Sequence, residues 1–249
     1  MTASGRNVAR LEQRLTRPNA SLAELEAAVA LAMEHDCAAV TVNPWLVKAA
    51  KRTLGRSRLR LGTLIGSPAG TQILAVKAFE ASKALEQGAN QIDFVLNGGA
   101  LLSGDDEIVF NDMLAVVDMA HSALAVAGVV VEAEPMTADQ VSRACRIAER
   151  AGADYVVTSA GDLPARRAVQ RTALLRDSVG PRVQVKAAGR FRTLADVRAA
   201  AAAGATRVSA EFRADLLAAA AAESTAADPI PEPISPSSRR PRAIASRAS

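Results

Sequence analysis

The sequence predicts an α/β protein made of repeated strand–helix units, and three observations predict it. Seven short apolar runs are near-continuous in Val, Ile, Leu and Ala, as parallel strands buried on both faces are. Segments with helical spacing lie between them. The junctions Gly88-Ala89-Asn90, Gly152-Ala153-Asp154 and Gly204-Ala205-Thr206 each place a glycine just past a helix, where a left-handed residue stops it. Strands joined by crossover helices leave two architectures open, a doubly wound sheet and a closed barrel. An eighth strand at Val8–Leu15 would complete a (β/α)8 barrel at the compact end of its size range.

That first strand is weak on pattern, because Arg10, Glu12 and Arg14 interrupt it with charge. A helix over 21–35 opens on Ser21-x-x-Glu24, a capping box that satisfies the first N–H groups of the helix. The strand Ala38–Asn43, a helix over 45–54 and the strand Leu59–Ile65 follow. A helix over 72–87 leads to the strand Asn90–Asn97, and a helix over 106–126 leads to the strand Val129–Glu134. Thr137-x-x-Gln140 is a second capping box and opens a helix over 137–151. The strand Asp154–Ser159, a helix over 163–178, the strand Arg182–Ala187, a helix over 193–203, the strand Thr206–Ala210 and a helix over 212–223 complete the pattern. From 222 the composition turns to Pro, Ser and Arg, with too little apolar surface to offset ordering entropy. The expected organisation is one domain over 1–221 and a disordered tail over 222–249.

Composition narrows the function classes. At 249 residues, 49% apolar and 22% charged, the chain has the make-up of a soluble globular domain. No run approaches the roughly 18–20 apolar residues of a membrane helix, and the N-terminus lacks a signal-peptide core. A cytoplasmic protein is expected. The formal charge is only +4, partly from Arg239, Arg240, Arg242 and Arg247 in the tail, and aromatics are 3%. Basic residues are not interleaved with stacking aromatics, so no nucleic-acid partner is expected. Cys37 and Cys145 are far apart and outside any Cys-x-x-Cys pair, so both are expected reduced. His35 and His121 are the only histidines, and no metal-ligand spacing exists, so neither a metal nor a cofactor is expected.

Three ionisable residues stand out because they interrupt apolar strands: Asp93 in Gln-Ile-Asp-Phe-Val, Glu132 in Val-Val-Val-Glu-Ala and Lys186 in Val-Gln-Val-Lys-Ala-Ala-Gly. The chain has five lysines, and Lys48, Lys51, Lys77 and Lys83 fall in helical segments expected to be exposed. Lys186 alone lies on an expected buried strand, where an unpaired charge is costly. A structural ion pair with Asp93 or Glu132 and a lysine used on a ligand are the two readings of it.

Ala151-Gly-Ala-Asp-Tyr-Val-Val157-Thr-Ser-Ala-Gly161 resembles the active-site strand of deoxyribose-phosphate aldolases, Ala-Gly-Ala-Asp-Phe-Val-Lys-Thr-Ser-Thr-Gly. Ala38-Ala-Val-Thr-Val-Asn-Pro44, Ile65-Gly-Ser-Pro-Ala-Gly70, Val76-Lys-Ala-Phe-Glu-Ala81 and Gly98-Gly-Ala-Leu-Leu-Ser-Gly104 are similar to further motifs of that family, and the likeness runs from Leu11 to Leu217. It implies a (β/α)8 TIM barrel and class I, metal-independent carbon–carbon lyase chemistry on an aldehyde or sugar phosphate, as a monomer or homodimer. It matches Asp93 to the proton-relay aspartate, Lys186 to the second active-site lysine and Glu132 to a glutamate of the family pattern. Thr158, Gly161, Gly189, Arg190 and Glu211 fall in the segments that bind substrate phosphate. The departures are systematic. Val157 stands where the family has its Schiff-base lysine, Ala160 replaces a threonine, Arg190 a glycine, and Glu211-Phe212 a serine pair. Leu11-Glu12-Gln13-Arg14-Leu15 replaces Ile-Asp-His-Thr-Leu. Two readings follow: an aldolase-like enzyme in which Lys186 serves as the amine or acts with Asp93, and a catalytically inactive homologue that binds or regulates. Cleavage of deoxyribose 5-phosphate at ordinary family rates is not expected.

Overall fold

The computed structural model describes residues 10–132 and 136–224, and their strands close in chain order into a single parallel barrel. The strands are β1 (Arg10–Leu15), β2 (Ala39–Val42), β3 (Arg60–Ile65), β4 (Gln91–Val95), β5 (Val126–Val130), β6 (Tyr155–Val157), β7 (Gln184–Ala188) and β8 (Arg207–Ala210). Pairing of Leu11 with Val208 and of Gln13 with Ala210 joins β1 to β8 and excludes the open sheet. The helices are α1 (Leu22–Glu34), α2 (Val47–Leu54), α3 (Leu74–Glu86), α4 (Gly98–Leu102), α5 (Asp106–Ser122), α6 (Ala138–Ala151), α7 (Ala165–Ser178), α8 (Leu194–Ala202) and α9 (Ala214–Ser224).

Both expected capping boxes form, Ser21 with Glu24 and Thr137 with Gln140. Gly88, Gly152 and Gly204 take φ of 106°, 91° and 101°, so the three recurrent junctions are left-handed helix stops. Apolar side chains between strands and helices make one large core, and a smaller cluster including Leu64, Val130, Tyr155, Val157 and Ala188 belongs to the strands. The charges that weakened β1 on pattern have a place in this arrangement, since Glu12 is fully buried among polar side chains from other strands.

Four expectations need correction. The fifth strand begins at Val126, three residues before the valine run that marked it, and α5 stops at Ser122. A turn with Leu124 at φ 58° separates them, and pairing of Val126 with Gln91 fixes the register. Glu132 consequently lies beyond the strand end, in the loop. A short helix, α4, was not expected; Asn97 caps it by accepting from the Ala100 N–H. Lys77 is not exposed but fully buried, with its ammonium 2.6 Å from Asp112 and donating to the Val95 carbonyl at 3.0 Å. Helix α9 continues to Ser224, past the expected domain edge, and the rest of the expected tail lies outside the described residues.

Candidate active site

Polar side chains from six strands meet inside the barrel. Lys186 on β7 is fully buried, its ammonium 2.7 Å from Asp93 Oδ2 on β4 and 3.0 Å from Glu12 Oε2 on β1. Thr41 Oγ1 and Ser209 Oγ donate to Glu12 Oε1 at 2.8 and 2.9 Å, and Gln91 Nε2 donates to Oε2 at 2.9 Å. Arg207 Nη1 donates to Gln91 Oε1 at 2.7 Å and lies 3.5 Å from Glu12. The Tyr155 ring sits under both cations, 5.4 Å from the Lys186 ammonium and 5.1 Å from the Arg207 guanidinium. Two carboxylates therefore balance two cations, which is what a buried charge cluster requires. Gly62 leaves the room for it, since a Cβ there would sit on Thr41 Oγ1 and 2.9 Å from Gln91 Nε2.

The two carboxylates respond differently to burial. For Glu12, burial pushes the pKa up, but Lys186, Arg207 and hydrogen bonds from Gln91 and Thr41 outweigh it and hold the group at about 2. For Asp93, burial dominates and is reinforced by Glu12, so its pKa stays above the ordinary aspartate value despite Lys186. Asp93 also carries a buried oxygen, Oδ1, with no hydrogen-bond partner. That oxygen faces the Cα of Gly128, where an added Cβ would lie 2.5 Å from Oδ1 and 3.3 Å from Val157 Cγ2. The orphan oxygen thus borders Val157, which pairs directly with Lys186 across β6 and β7.

Above this layer the mouth is narrow. The cavity bounded by Arg14, Asp93, Val157, Ser159, Lys186 and Ser209 holds about 10 Å3, room for about one water. Arg14 Nε donates to Thr16 Oγ1 at 2.7 Å and Nη1 donates to the Gly161 carbonyl at 3.3 Å. Glu132 lies to one side, where Ser159 Oγ donates to its Oε1 at 2.6 Å and Arg171 Nη1 lies 4.0 Å away. Among the described residues no group of His, Cys, Asp and Glu could hold a metal. Cys37 and Cys145 are free, and burial raises both thiols to about 12, which makes them poor nucleophiles. A larger cavity of about 510 Å3, lined by Asp36, Arg58 and Arg60 among others, opens beside the N-terminal ends of β2 and β3, away from this chemistry.

A buried lysine and aspartate at the heart of a (β/α)8 barrel agree with the proteins this chain resembles. Residues 6–174 match the model of the DeoC/LacD family aldolases. The chain is 39% identical over 200 residues to a deoxyribose-phosphate aldolase of Streptococcus gordonii, covering 80% of this chain and 90% of that one. It is 38% identical over 203 residues to the enzyme of that name from a Geobacillus strain, covering 81% and 91%. The structure of a deoxyribose phosphate aldolase from Aeropyrum pernix, described as tetrameric, superposes with a TM-score of 0.75 at 26% identity, covering 85% of this chain and 90% of that one. The chain belongs to the DeoC/LacD aldolase family.

Within that family of class I carbon–carbon lyases, the rim residues that depart from the family pattern lie among hydrogen bonds made within the chain. Four backbone N–H groups in these segments have internal acceptors. Gly161 N donates to Ser159 Oγ at 3.0 Å, Gly189 N to the Ser209 carbonyl at 3.1 Å, and Arg190 N to the Leu163 carbonyl at 2.7 Å. Phe212 N donates to Gln13 Oε1 at 2.9 Å. Gly189 is required by packing, because a Cβ there would lie 2.5 Å from the Leu163 carbonyl. Thr158 Oγ1 is occupied with Ala188, donating to its carbonyl at 3.0 Å and accepting its N–H at 2.8 Å. Glu211 does not pair with Arg190, as its charge invited; it binds Arg17 at 3.0 Å, and Arg190 lies 3.5 Å from Asp162.

Of the residues the sequence singled out, the barrel brings Lys186 and Asp93 together, while Glu132 stands apart at the mouth. Glu12, Gln91 and Arg207 complete the cluster and were missed as site residues. Their signal was present: each is a polar residue inside a strand, two positions from an interior neighbour in β1, β4 and β8. Arg14 was likewise missed, because β1 was read as doubtful.

Proposed function

We propose that this chain is an aldolase that forms an imine through Lys186, with Asp93 as its proton shuttle. The observation that carries the reading is the buried 2.7 Å contact between the Lys186 ammonium and an aspartate whose other oxygen is orphaned beside the cavity. A class I aldolase needs a neutral amine. Burial raises the proton affinity of Asp93, which suits it to take a proton across the 2.7 Å contact with Lys186. The amine then adds to a substrate carbonyl, Asp93 returns the proton to the departing hydroxyl, and water leaves as the imine forms. Asp93, now a carboxylate, takes the proton of the substrate's β-hydroxyl as the carbon–carbon bond breaks, so that an aldehyde departs and the bond's electrons form an enamine. The enamine takes a proton back at carbon, and water hydrolyses the imine to release the second carbonyl product and restore Lys186. Glu12, Arg207 and Tyr155 hold the charge balance around the amine throughout.

Borohydride reduction followed by intact-mass measurement tests this. With a carbonyl substrate, wild type should gain one reduced adduct mapping to Lys186, and Lys186→Ala should gain none. Turnover of the same substrate by the Lys186→Ala variant would rule the assignment out. The reading of an inactive homologue has the replacement of the family lysine by Val157 in its favour, and predicts no adduct with any carbonyl.

The quaternary form we infer is a homodimer. Ile73, at the N-cap of α3, and Val76 and Phe79 in its first turns are 71%, 49% and 65% exposed, an apolar face unusual on a monomer. Sedimentation equilibrium at micromolar concentration should give twice the chain mass, and Phe79→Asp should shift it to the monomer. A monomeric wild type overturns the inference.

A further inference from the structure

We infer that Arg14 makes this site selective for a short carbonyl compound bearing a carboxylate, an oxo acid, in place of a phosphate ester. The inference rests on the Lys186 imine reading for its chemistry but not for its binding geometry.

The argument begins with charge. Four carboxylates lie close enough to act on Arg14: Glu12, Asp93, Glu132 and Asp162. Each already has another cation. Glu12 and Asp93 share Lys186, Glu12 also faces Arg207, Glu132 has Arg171, and Asp162 has Arg190. Among the described residues Arg14 forms no ion pair, and its two hydrogen bonds go to a neutral hydroxyl and a carbonyl. These use two of the five N–H donors of a guanidinium. Among the described residues it is therefore the cation at the cavity with no carboxylate of its own.

The shape of the group restricts what that anion is. A guanidinium presents a planar fork that fits a carboxylate with two parallel hydrogen bonds. A tetrahedral dianion needs more, usually several backbone N–H groups aimed inward. Here the N–H groups of Gly161, Gly189, Arg190 and Phe212 all donate internally, and Glu211 adds a carboxylate to the rim. A single planar fork, with these four N–H groups already occupied, favours a singly charged planar group.

Geometry sets the length of the substrate. Glu12 and Arg14 are two residues apart on β1, so both face the barrel interior, about 6–7 Å apart along the strand. Lys186 contacts Glu12, and Arg14 stands one layer nearer the mouth. An amine in the lower layer and a fork in the upper one match a molecule whose carboxylate lies a few atoms from its carbonyl. The cavity of about 10 Å3 opens when Arg14 exchanges Thr16 and the 3.3 Å contact to Gly161 for the incoming carboxylate.

The experiment is borohydride trapping across a concentration series. The oxo acids are pyruvate and succinic semialdehyde, the uncharged counterparts acetone and butanal, and the phosphate ester 2-deoxyribose 5-phosphate. A fork lost or gained is worth about tenfold, so half-maximal labelling of wild type should need about tenfold less oxo acid than uncharged counterpart. Arg14→Gln should bring that ratio near one, and Arg14→Lys, which keeps the charge without the fork, should fall between. Equal labelling by charged and uncharged compounds, a preference unchanged in Arg14→Gln, or preferred labelling by 2-deoxyribose 5-phosphate would each overturn the inference while leaving the Lys186 imine standing. If no compound labels Lys186, the imine reading fails. Calorimetric titration of succinic semialdehyde and pyruvate then decides the present point: binding weakened about tenfold in Arg14→Gln upholds it, and no binding to wild type overturns it.

Discussion

Glu12 and Asp93 face the same ammonium and burial raises both, yet their pKa values end on opposite sides of the ordinary carboxylate range. Glu12 is lowered to about 2 from 4.5 because two cations and several donors outweigh its burial. Its contribution to stability is therefore complete above pH 4.5 and is lost as pH falls toward 2. Asp93 is raised from 3.8, so the stability linked to its protonation is complete below pH 3.8 and is lost as pH rises through its higher folded value. Glu12→Gln should lower the urea midpoint at neutral pH, by about 3 kcal/mol for a broken buried charge contact, and should flatten the acid limb between pH 4.5 and 2. Urea titrations of both proteins across that range check it, and an acid limb as steep in the variant would show that Glu12 is not its source. Lys186 and Asp93 were legible in the sequence because each broke an apolar run. Glu12 was legible only as a charge weakening the strand, because it shares one face with Arg10 and Arg14, and alternation does not say whether that face points into a barrel or to solvent.

Strand register turns these single residues into a site. Val157 pairs with Lys186, and Val130 on β5 pairs with Val157, so one layer runs from the β5 end across to the amine. Gly128 leaves the space that Asp93 Oδ1 occupies against Val157. Val157→Lys would place an ammonium in that layer and give the orphan oxygen a partner. It should raise reactivity toward small aldehydes by lowering the pKa of its neighbour, like charges disfavouring one another. It should not create turnover of 2-deoxyribose 5-phosphate, because the N–H groups of Gly161, Gly189, Arg190 and Phe212 stay on internal acceptors and Glu211 keeps a carboxylate at the rim. A coupled assay for released aldehyde reads both, and phosphate-ester turnover within tenfold of an aldolase with its lysine in place would refute the argument from the rim. At this scale the helix ends marked by a capping box or a left-handed glycine were readable, since both signals are local. The start of β5 was not: the residues before the valine run suit a helix equally well, and only pairing with Gln91 decides between them.

Closure of the barrel is a property of the whole chain, and periodicity alone could not distinguish it from an open sheet. What joins the ends is β1, the strand with the least apolar pattern, and its polar residues are tolerated because partners from β2, β4, β7 and β8 converge on them. The same reasoning applies outside the barrel to Lys77. It was expected on the surface from its helical segment, yet it is fully buried and bridges α3 to Asp112 on α5. Burial raises the Asp112 pKa, so the pair stands on geometry and on the Val95 carbonyl as well as on charge. Removing one partner leaves the other buried and uncompensated, while removing both need not. Lys77→Met and Asp112→Leu should therefore each cost about 3–5 kcal/mol in urea unfolding, and the double variant should cost clearly less than either single one. Additive losses across that cycle would mean that the two groups act independently and that the ion pair does not hold α3 to α5.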